Sequence, residues 1–395
     1  MCHVMPNARM NSSAHSPDIF IIGGGPAGLA TAILAAQQGM RVAVADHNRP
    51  PIDKTCGEGL MPDTLAAMKT LGVTLGYDEA VPFRGIRFRD ADSLTCVEAE
   101  FGQGLGLGLR RTVLHAKLVE RAAGLGVALL WGSRVTLAGD GQVFCEGRPV
   151  QSKWVIGADG ESSQARKWGA LEQTRYERIR FAARQHFRTA PWSDFVEVYW
   201  AQNCQIVVSA VASDEVCVAI TSRSPGLRFH EALSQVPALD SRLRNLRGVS
   251  KVRGARAALR RLRRVCAGRF ALVGDASGSV DPLTGEGIGL AFKQAAALVE
   301  AVEHDDLESY QTAHDRIARA PRLMSRLMLL MDAHPRLCRR ALRMFAAEPS
   351  LFSRLLDVNI GELTLSKFGL GQGLRLGWHM LASGWESPSQ ILNRL

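Results

Sequence analysis

Four short apolar runs punctuate the chain without polar alternation, the pattern of strands buried on both faces. The first, Asp18-Ile19-Phe20-Ile21-Ile22, leads into Gly23-Gly24-Gly25-Pro26-Ala27-Gly28. The alanine-rich segment 29–38 that follows predicts a helix. A second run at 41–45 ends on Asp46. The third, Trp154-Val155-Ile156-Gly157, meets Ala158-Asp159-Gly160 and continues past Ser163 and Arg166 to Gly169. The fourth, Phe270-Ala271-Leu272-Val273, meets Gly274-Asp275-Ala276. Val280 to Ile288, reading VDPLTGEGI, then introduces a predicted helix over 289–303.

Between these runs lie segments of strand character without helical period: 83–88, 94–101, 178–188, 195–200, 205–212 and 216–221. The last two flank the polar Ser213-Asp214-Glu215 and predict an antiparallel hairpin. A mostly antiparallel sheet is therefore expected, inserted into a parallel one.

The spacing Gly23, Gly25, Gly28 is a dinucleotide fingerprint in its required context of strand, turn and helix. Gly23 allows the tight turn, Gly25 lets backbone approach a pyrophosphate, and Gly28 lets helix pack on strand. Asp46, 23 positions after Gly23, suits the ribose hydroxyls. The alternative is a purely structural glycine turn, and this motif alone leaves the choice of dinucleotide open.

Composition narrows the class. The 395 residues are 46% hydrophobic and 22% charged, which excludes a disordered, collagen-like or disulfide-stapled chain. Eight cysteines are scattered with no CxxC pair and no clustering with histidine, which argues against a zinc site and fits a reducing compartment. The net charge of +10 suits nucleic acid, an anionic membrane or acidic ligands without choosing among them. Residues 1–17 read as a flexible polar extension without a signal sequence. A cytoplasmic location is expected, with peripheral membrane contact as the alternative.

Taken in order, the three motifs resemble those of flavoproteins with the para-hydroxybenzoate-hydroxylase fold: aromatic hydroxylases, flavin halogenases and geranylgeranyl reductases. The resemblance covers roughly residues 18–330. It implies an α/β chain with an FAD-binding Rossmann-like domain, an inserted antiparallel substrate sheet and a C-terminal helical segment. The expected divisions are 18–82, 105–172 and 265–330 for the FAD domain, 83–104 and 173–264 for the substrate domain, and 331–395 for the helices. The resemblance assigns Gly23, Gly25, Pro26, Ala27, Gly28 and Asp46 to the ADP half of FAD. Arg111 is implied near the pyrophosphate and ribose, Asp159 and Gly160 near FAD and pyridine nucleotide, and Gly274 and Asp275 near the ribityl chain. Pro282 stiffens a turn, and Gly285, Gly287 and Ile288 belong to a helix N-terminus able to stabilise a reduced flavin anion. For Asp159 and Asp275 the bland alternative is ordinary turn chemistry.

Cys56, in Lys54-Thr55-Cys56-Gly57-Glu58-Gly59, resembles a motif of the reductase branch. It either lines the flavin face, donates a proton to a substrate carbon, or is a small residue packed in a glycine turn. Glu58 reads as a pocket acid or a helix-start residue. His186, Tyr199, Asn203 and Gln205 fall in the predicted sheet, where such residues are more often structural. The arginines between Lys251 and Arg269 either attract a pyridine-nucleotide phosphate or acidic substrate, or form a solvated face. Those from Arg316 to Arg343 sit among Leu and Met at helical spacing. They read as snorkelling over a core-facing helix, with membrane docking as the alternative. The glycine-containing tail after Pro349 is expected to cover the substrate domain.

The leading expectation is an NAD(P)H-driven monooxygenase that hydroxylates a hydrophobic aromatic or polyketide-like molecule with O2 through a flavin C4a-hydroperoxide. The alternative is a geranylgeranyl-reductase-like enzyme saturating isoprenoid or lipid C=C bonds. No metal is expected, and a halogenase is disfavoured because its Trp-x-Trp-x-x-Pro element is absent. A non-catalytic nucleic-acid or membrane binder is the remote third reading, since the basic runs lack aromatic interleaving.

Overall fold

The computed structural model describes residues 16–369, apart from 77, 92, 94 and 139–141. Most of the N-terminal extension and the tail beyond 369, including Gly371 and Gly373, therefore lie outside the described residues.

The apolar runs form one six-stranded sheet, ordered Cys266–Ala267, Phe270–Leu272, Trp154–Gly157, Ile19–Ile22, Val42–Asp46 and Ala128–Trp131. All neighbours are parallel except the first pair. Ile19 to Ile22 are buried on both faces, as the unbroken run requires. The helix Pro26–Gln37 begins with proline at its first turn, where the missing N–H has no intrahelical partner to lose. It packs between this sheet and the helix Gly287–Glu303, which is why alanines populate its buried faces.

The second sheet has eight strands, ordered Gly278–Ser279, Arg253–Leu262, Thr174–Arg188, Glu215–Ser222, Cys204–Ala212, Phe195–Ala201, Gly85–Asp90 and Cys96–Glu100. It is antiparallel except where Phe195–Ala201 meets Gly85–Asp90. The expected hairpin forms with Ile206 opposite Ile220. The first basic run leaves Lys251, Arg253, Arg256, Arg263, Arg264 and Arg269 exposed, as a solvated face would, and buries Arg260. It contains the strand Arg253–Leu262, paired along Thr174–Arg188. Its charges meet acids from distant segments: Arg260 reaches Glu161 at 2.9 Å and Glu177 at 2.5 Å, and Arg253 reaches Asp53 at 3.2 Å.

Three helices, Arg319–Ala333, Pro335–Ala347 and Pro349–Asn359, cover the edge of this sheet. Prolines open the second and third and set the breaks between them. Met324, Met331, Leu342, Phe345 and Phe352 bury against Ile86, Phe88, Val97 and Trp200 in a second core. The core-facing reading of these basic helices holds, with Leu323 at 38% and Leu330 at 43% exposure left outside. No helix among the described residues is long and apolar enough to cross a membrane.

Candidate active site

The glycine turn is shaped by close approach. A side chain at Gly23 would put its Cβ 2.4 Å from the Ala158 carbonyl oxygen, and Gly23 has φ +112°. A Cβ at Gly28 would sit 1.9 Å from the Gly23 carbonyl oxygen, so helix and strand touch through bare backbone. Gly25 differs: no described atom lies within 4 Å of its would-be Cβ. That open side meets the first turn of Pro26–Gln37, which no described side chain caps. Uncapped N–H groups, a helix dipole and an open approach fit a pyrophosphate. Asp46 stands at the end of the second strand and accepts from the Gly24 N–H at 2.8 Å. His115 holds the other side of the turn, Nε2 to the Gly24 carbonyl at 2.9 Å. A carbonyl only accepts, so Nε2 carries the hydrogen. Burial keeps the His115 pKa below its ordinary value.

The second motif divides its labour. The Asp159 carboxylate accepts from Ser163 Oγ at 2.5 Å and from the Gln164 and Ala165 N–H groups at 2.7 and 2.9 Å. It caps the short helix Gln164–Trp168, which is the turn chemistry weighed as its alternative. Gly160 follows with φ +81°, and its would-be Cβ lies 3.4 Å from Lys54 Nζ. Asp275 pairs with Lys54 at 2.9 Å, both about 40% exposed, and that ammonium holds the Asp275 carboxyl below its ordinary range. Gly274 touches the first motif directly, because a Cβ there would lie 2.6 Å from Ala27 Cβ. Arg111 starts the helix Arg111–Gly124, and its buried Nε has no partner among the described residues.

At the third motif Asp281 caps the turn Pro282–Thr284 through the Leu283 N–H at 3.1 Å. Gly285 has φ +71°, and a Cβ there would collide with Met61 Cε at 2.5 Å. Gly287 then opens the long helix with no side-chain cap among the described residues, and its would-be Cβ meets nothing within 4 Å. Ile288 packs on the main core. The residues present thus provide two uncapped helix N-termini and two open glycine faces on packed helices, a cradle suited to a long anionic cofactor such as FAD.

A charge cluster lies between these motifs and the substrate sheet. Glu58 is fully buried at φ +61°. Its Oε1 accepts from the Arg111 N–H at 3.0 Å and from Arg184 at 2.8 Å, and its Oε2 lies 2.6 Å from His186 Nε2. Arg184 also grips Asp53 with two bonds of 2.8 and 2.9 Å. Arg110 lies 3.0 Å from His186 Nδ1 and Arg184 3.2 Å from Nε2, so the ring stands between two guanidinium groups and the Glu58 carboxylate. Cys217 completes a trio with Glu58 and His186. There Arg184 supplies the positive charge, and burial raises the Cys217 thiol well above its ordinary value. Glu58 is thus neither a pocket acid nor a helix start. Cys56 is half-buried in the same loop, its Sγ 3.3 Å from the Glu58 N–H. The Gly57 carbonyl accepts from Ser209 Oγ at 2.6 Å, fastening the loop to the substrate sheet.

Reading residues singly missed Arg180, Arg184 and the partner of His186. The available signal was parity: Arg180, Arg184 and His186 all occupy even positions of Thr174–Arg188 and are buried, while Ile179 is 42% exposed. Gln205 is structural, holding Arg180 at 2.5 Å and Asp332 at 2.7 Å, and the Tyr199 hydroxyl donates to Glu197 at 2.8 Å. Asn203 occupies a turn at φ +62°.

Beyond Gly285 opens a pocket of about 780 Å3, part of it open to solvent. Ile86, Phe88, Met324, Met331, Phe345, Phe352 and Leu356 line it, with Leu283 and Thr284 from the third motif. Thr284 and Asn359 are its polar residues, and no described charged side chain lines it. Cys56 is not among the lining residues.

Residues 16–304 match the FAD binding domain family, and the chain belongs to it. It is an FAD-dependent oxidoreductase of the para-hydroxybenzoate-hydroxylase-like superfamily. It is 26% identical over 361 residues to menaquinone reductase of Mycobacterium tuberculosis, covering 80% of this chain and 84% of that one. It is 27% identical over 403 residues to 6-methylpretetramide 4-monooxygenase of Streptomyces rimosus, covering 89% and 94%. The fold is similar to a flavoprotein/dehydrogenase from Cytophaga hutchinsonii, with TM-score 0.76, 15% identity and coverage of 93% and 100%.

Proposed function

We propose that this chain is an NAD(P)H-driven monooxygenase that hydroxylates an uncharged, hydrophobic aromatic or polyketide-like molecule. The observation that carries the reading is continuity between pocket and cofactor cradle. Leu283 and Thr284 wall the apolar pocket, and the same loop runs through Gly285 and Glu286 into the uncapped N-terminus at Gly287. A molecule in the pocket would therefore rest on the same loop that leads into the helix N-terminus of the cradle. Similarity to a pretetramide monooxygenase over 89% of the chain supports the same substrate class.

Bound FAD would supply the electron-transfer and oxygen chemistry. Gly23, Gly25, Pro26, Ala27 and Gly28 would hold its pyrophosphate, with Asp46 on a ribose and Arg111 beside them. Asp159 serves by fixing the turn that presents Gly160. Gly274 and Asp275 would flank the ribityl chain, Pro282 would stiffen the turn that Gly285 bends at φ +71° into the helix, and Gly287 and Ile288 would present backbone N–H groups to the ring. That positive helix end favours the anion formed on reduction. The Met- and Phe-lined helices exclude water from the reacting face.

A second reading, reduction of an isoprenoid or lipid C=C bond, is favoured by Cys56-Gly57-Glu58-Gly59 and by similarity to a menaquinone reductase. One experiment separates them. The purified protein is analysed for released flavin, reduced anaerobically with NADH or NADPH, and given labelled O2 with polycyclic phenols. Label in the product supports the monooxygenase. Saturation of an isoprenoid alkene without O2, lost in Cys56→Ser while flavin stays bound, establishes the reductase instead. Absence of flavin even after reconstitution sinks both.

A further inference from the structure

The loop that leads from the third motif into the helix Gly287–Glu303 ends on an acid, Glu286, and buries it. Its carboxyl folds over the first turn of that helix, with Oε2 3.6 Å from where a Cβ on Gly289 would sit. Oε1 accepts from Asn359 Nδ2 at 3.4 Å, and Oε2 has no donor among the described residues. A second acid, Asp63, comes from the helix Pro62–Thr70. Its Oδ2 accepts from Lys293 Nζ, and its Oδ1 is buried, again with no donor among the described residues. The two carboxyl groups nevertheless lie within hydrogen-bonding reach of each other.

Two carboxylates cannot make that contact, because an ionised carboxylate only accepts. One proton held between them resolves both orphaned oxygens at once, serving as donor from one acid and finding its acceptor on the other. Lys293 bonds Asp63 and fixes the negative charge there, which leaves the proton on Glu286. The helix end favours an anion, but it is worth only about half a charge, whereas Asp63 brings a full one within hydrogen-bonding reach. Burial acts in the same direction as Asp63 and holds Glu286 in its neutral form. Among the described residues the other charges facing the pair are Lys293, from the same helix as Glu286, and Glu362, which is close enough to interact with Asp63. With one ammonium, one carboxylate and one neutral acid, the Glu286, Asp63 and Lys293 group carries no net charge.

We propose that Glu286 is a neutral acid that shares its proton with Asp63, and so leaves the positive end of the helix Gly287–Glu303 uncancelled for the reduced flavin. The inference rests on the reading that this helix end meets the flavin ring. Ionised, Glu286 would place a full negative charge in the first turn, against the partial positive charge that favours the flavin anion. Its role is electrostatic, and its proton stays with the carboxyl pair. Ionisation at alkaline pH then makes the bound flavin harder to reduce.

The test uses the FAD-loaded protein and two readouts. Infrared difference spectra of wild type against Glu286→Gln should show a protonated-carboxyl band at neutral pH that shifts in D2O. Absence of that band would mean that Glu286 is ionised, and the proposal falls. The midpoint potential of the bound flavin is then followed from neutral to alkaline pH. Wild type and Glu286→Gln should coincide at neutral pH, because the amide reproduces the neutral acid, donating to Asp63 and accepting from Asn359. At alkaline pH the wild type should fall below the variant by about tenfold in relative affinity for reduced over oxidised flavin, roughly 30 mV for a two-electron couple. Curves that stay parallel throughout would reduce the shared proton to a structural feature and overturn the tuning role. Gly287→Val isolates the premise, since it fills the open face of the helix end. Full flavin retention with an unchanged spectrum in that variant would show that this end does not meet the cofactor, and the cradle reading fails there.

Discussion

The nucleotide turn and the Glu58 cluster are built on opposite principles. At the turn, the chemistry is backbone: Gly23, Gly25 and Gly28 act through the side chains they lack, within six consecutive positions. In the cluster it is side-chain charge, with Asp53 and Glu58 meeting Arg184 and His186 from more than a hundred positions away. The turn presents donors to a ligand. The cluster satisfies nearly all of its own groups and ties the loop carrying Cys56 to the substrate sheet. One region is therefore sensitive to added volume and the other to removed charge.

Gly25→Val should have the largest effect, abolishing flavin retention while the fold survives, because only the ligand's approach is filled. Flavin-to-protein absorbance measures it, and a fully yellow variant would break the pyrophosphate assignment. Arg184→Met reverses the pattern, leaving Glu58 and Asp53 without their shared cation. It should cost about 3–5 kcal/mol in denaturant unfolding, and a loss below about 1 kcal/mol would place the cluster with ordinary surface pairs.

Acid and base should strain different parts of the site. His314, buried behind the third motif against Ser277, has its pKa lowered to about 3 by burial. Its neutral form stabilises the fold above the unfolded value of about 6.5. That contribution is lost as pH falls from there toward about 3. Glu286 is opposite: burial, with the Asp63 carboxylate adding to it, pushes its pKa well up, so its contribution is lost as pH rises above the ordinary glutamate range. Glu286→Gln should raise neutral-pH stability and flatten the alkaline side, and His314→Gln should flatten the acid side. Melting temperatures across pH check both, and identical profiles would contradict the assignment. The smallest effect is expected for Asp159→Ala, about 1 kcal/mol from a lost cap, with flavin affinity nearly retained. A flavin loss as large as that of Gly25→Val would make Asp159 a direct ligand.

Much of the nucleotide side was legible because its determinants are contiguous. An unbroken apolar run, three spaced glycines and an alanine-rich helix specify one local geometry, and the two later motifs repeat the pattern. The hairpin around residues 213–215 was legible for the same reason. The arginines of 253–262 were not, since Glu161, Glu177 and Asp53, which neutralise them, lie 75 or more positions upstream. Asp159 and Asp275 looked alike in sequence, yet one carboxylate caps a helix and the other stands beside Lys54.

What the sequence by itself determined was the α/β frame and the backbone cradle, because glycine spacing and apolar runs act through covalent neighbours and strand or helix period. What only the tertiary structure decided was which charges are buried together and where the apolar pocket opens. Those properties depend on which distant segments share a face, and the energy of a buried charge or an unpaired acceptor is set by whatever the fold places within a few ångströms.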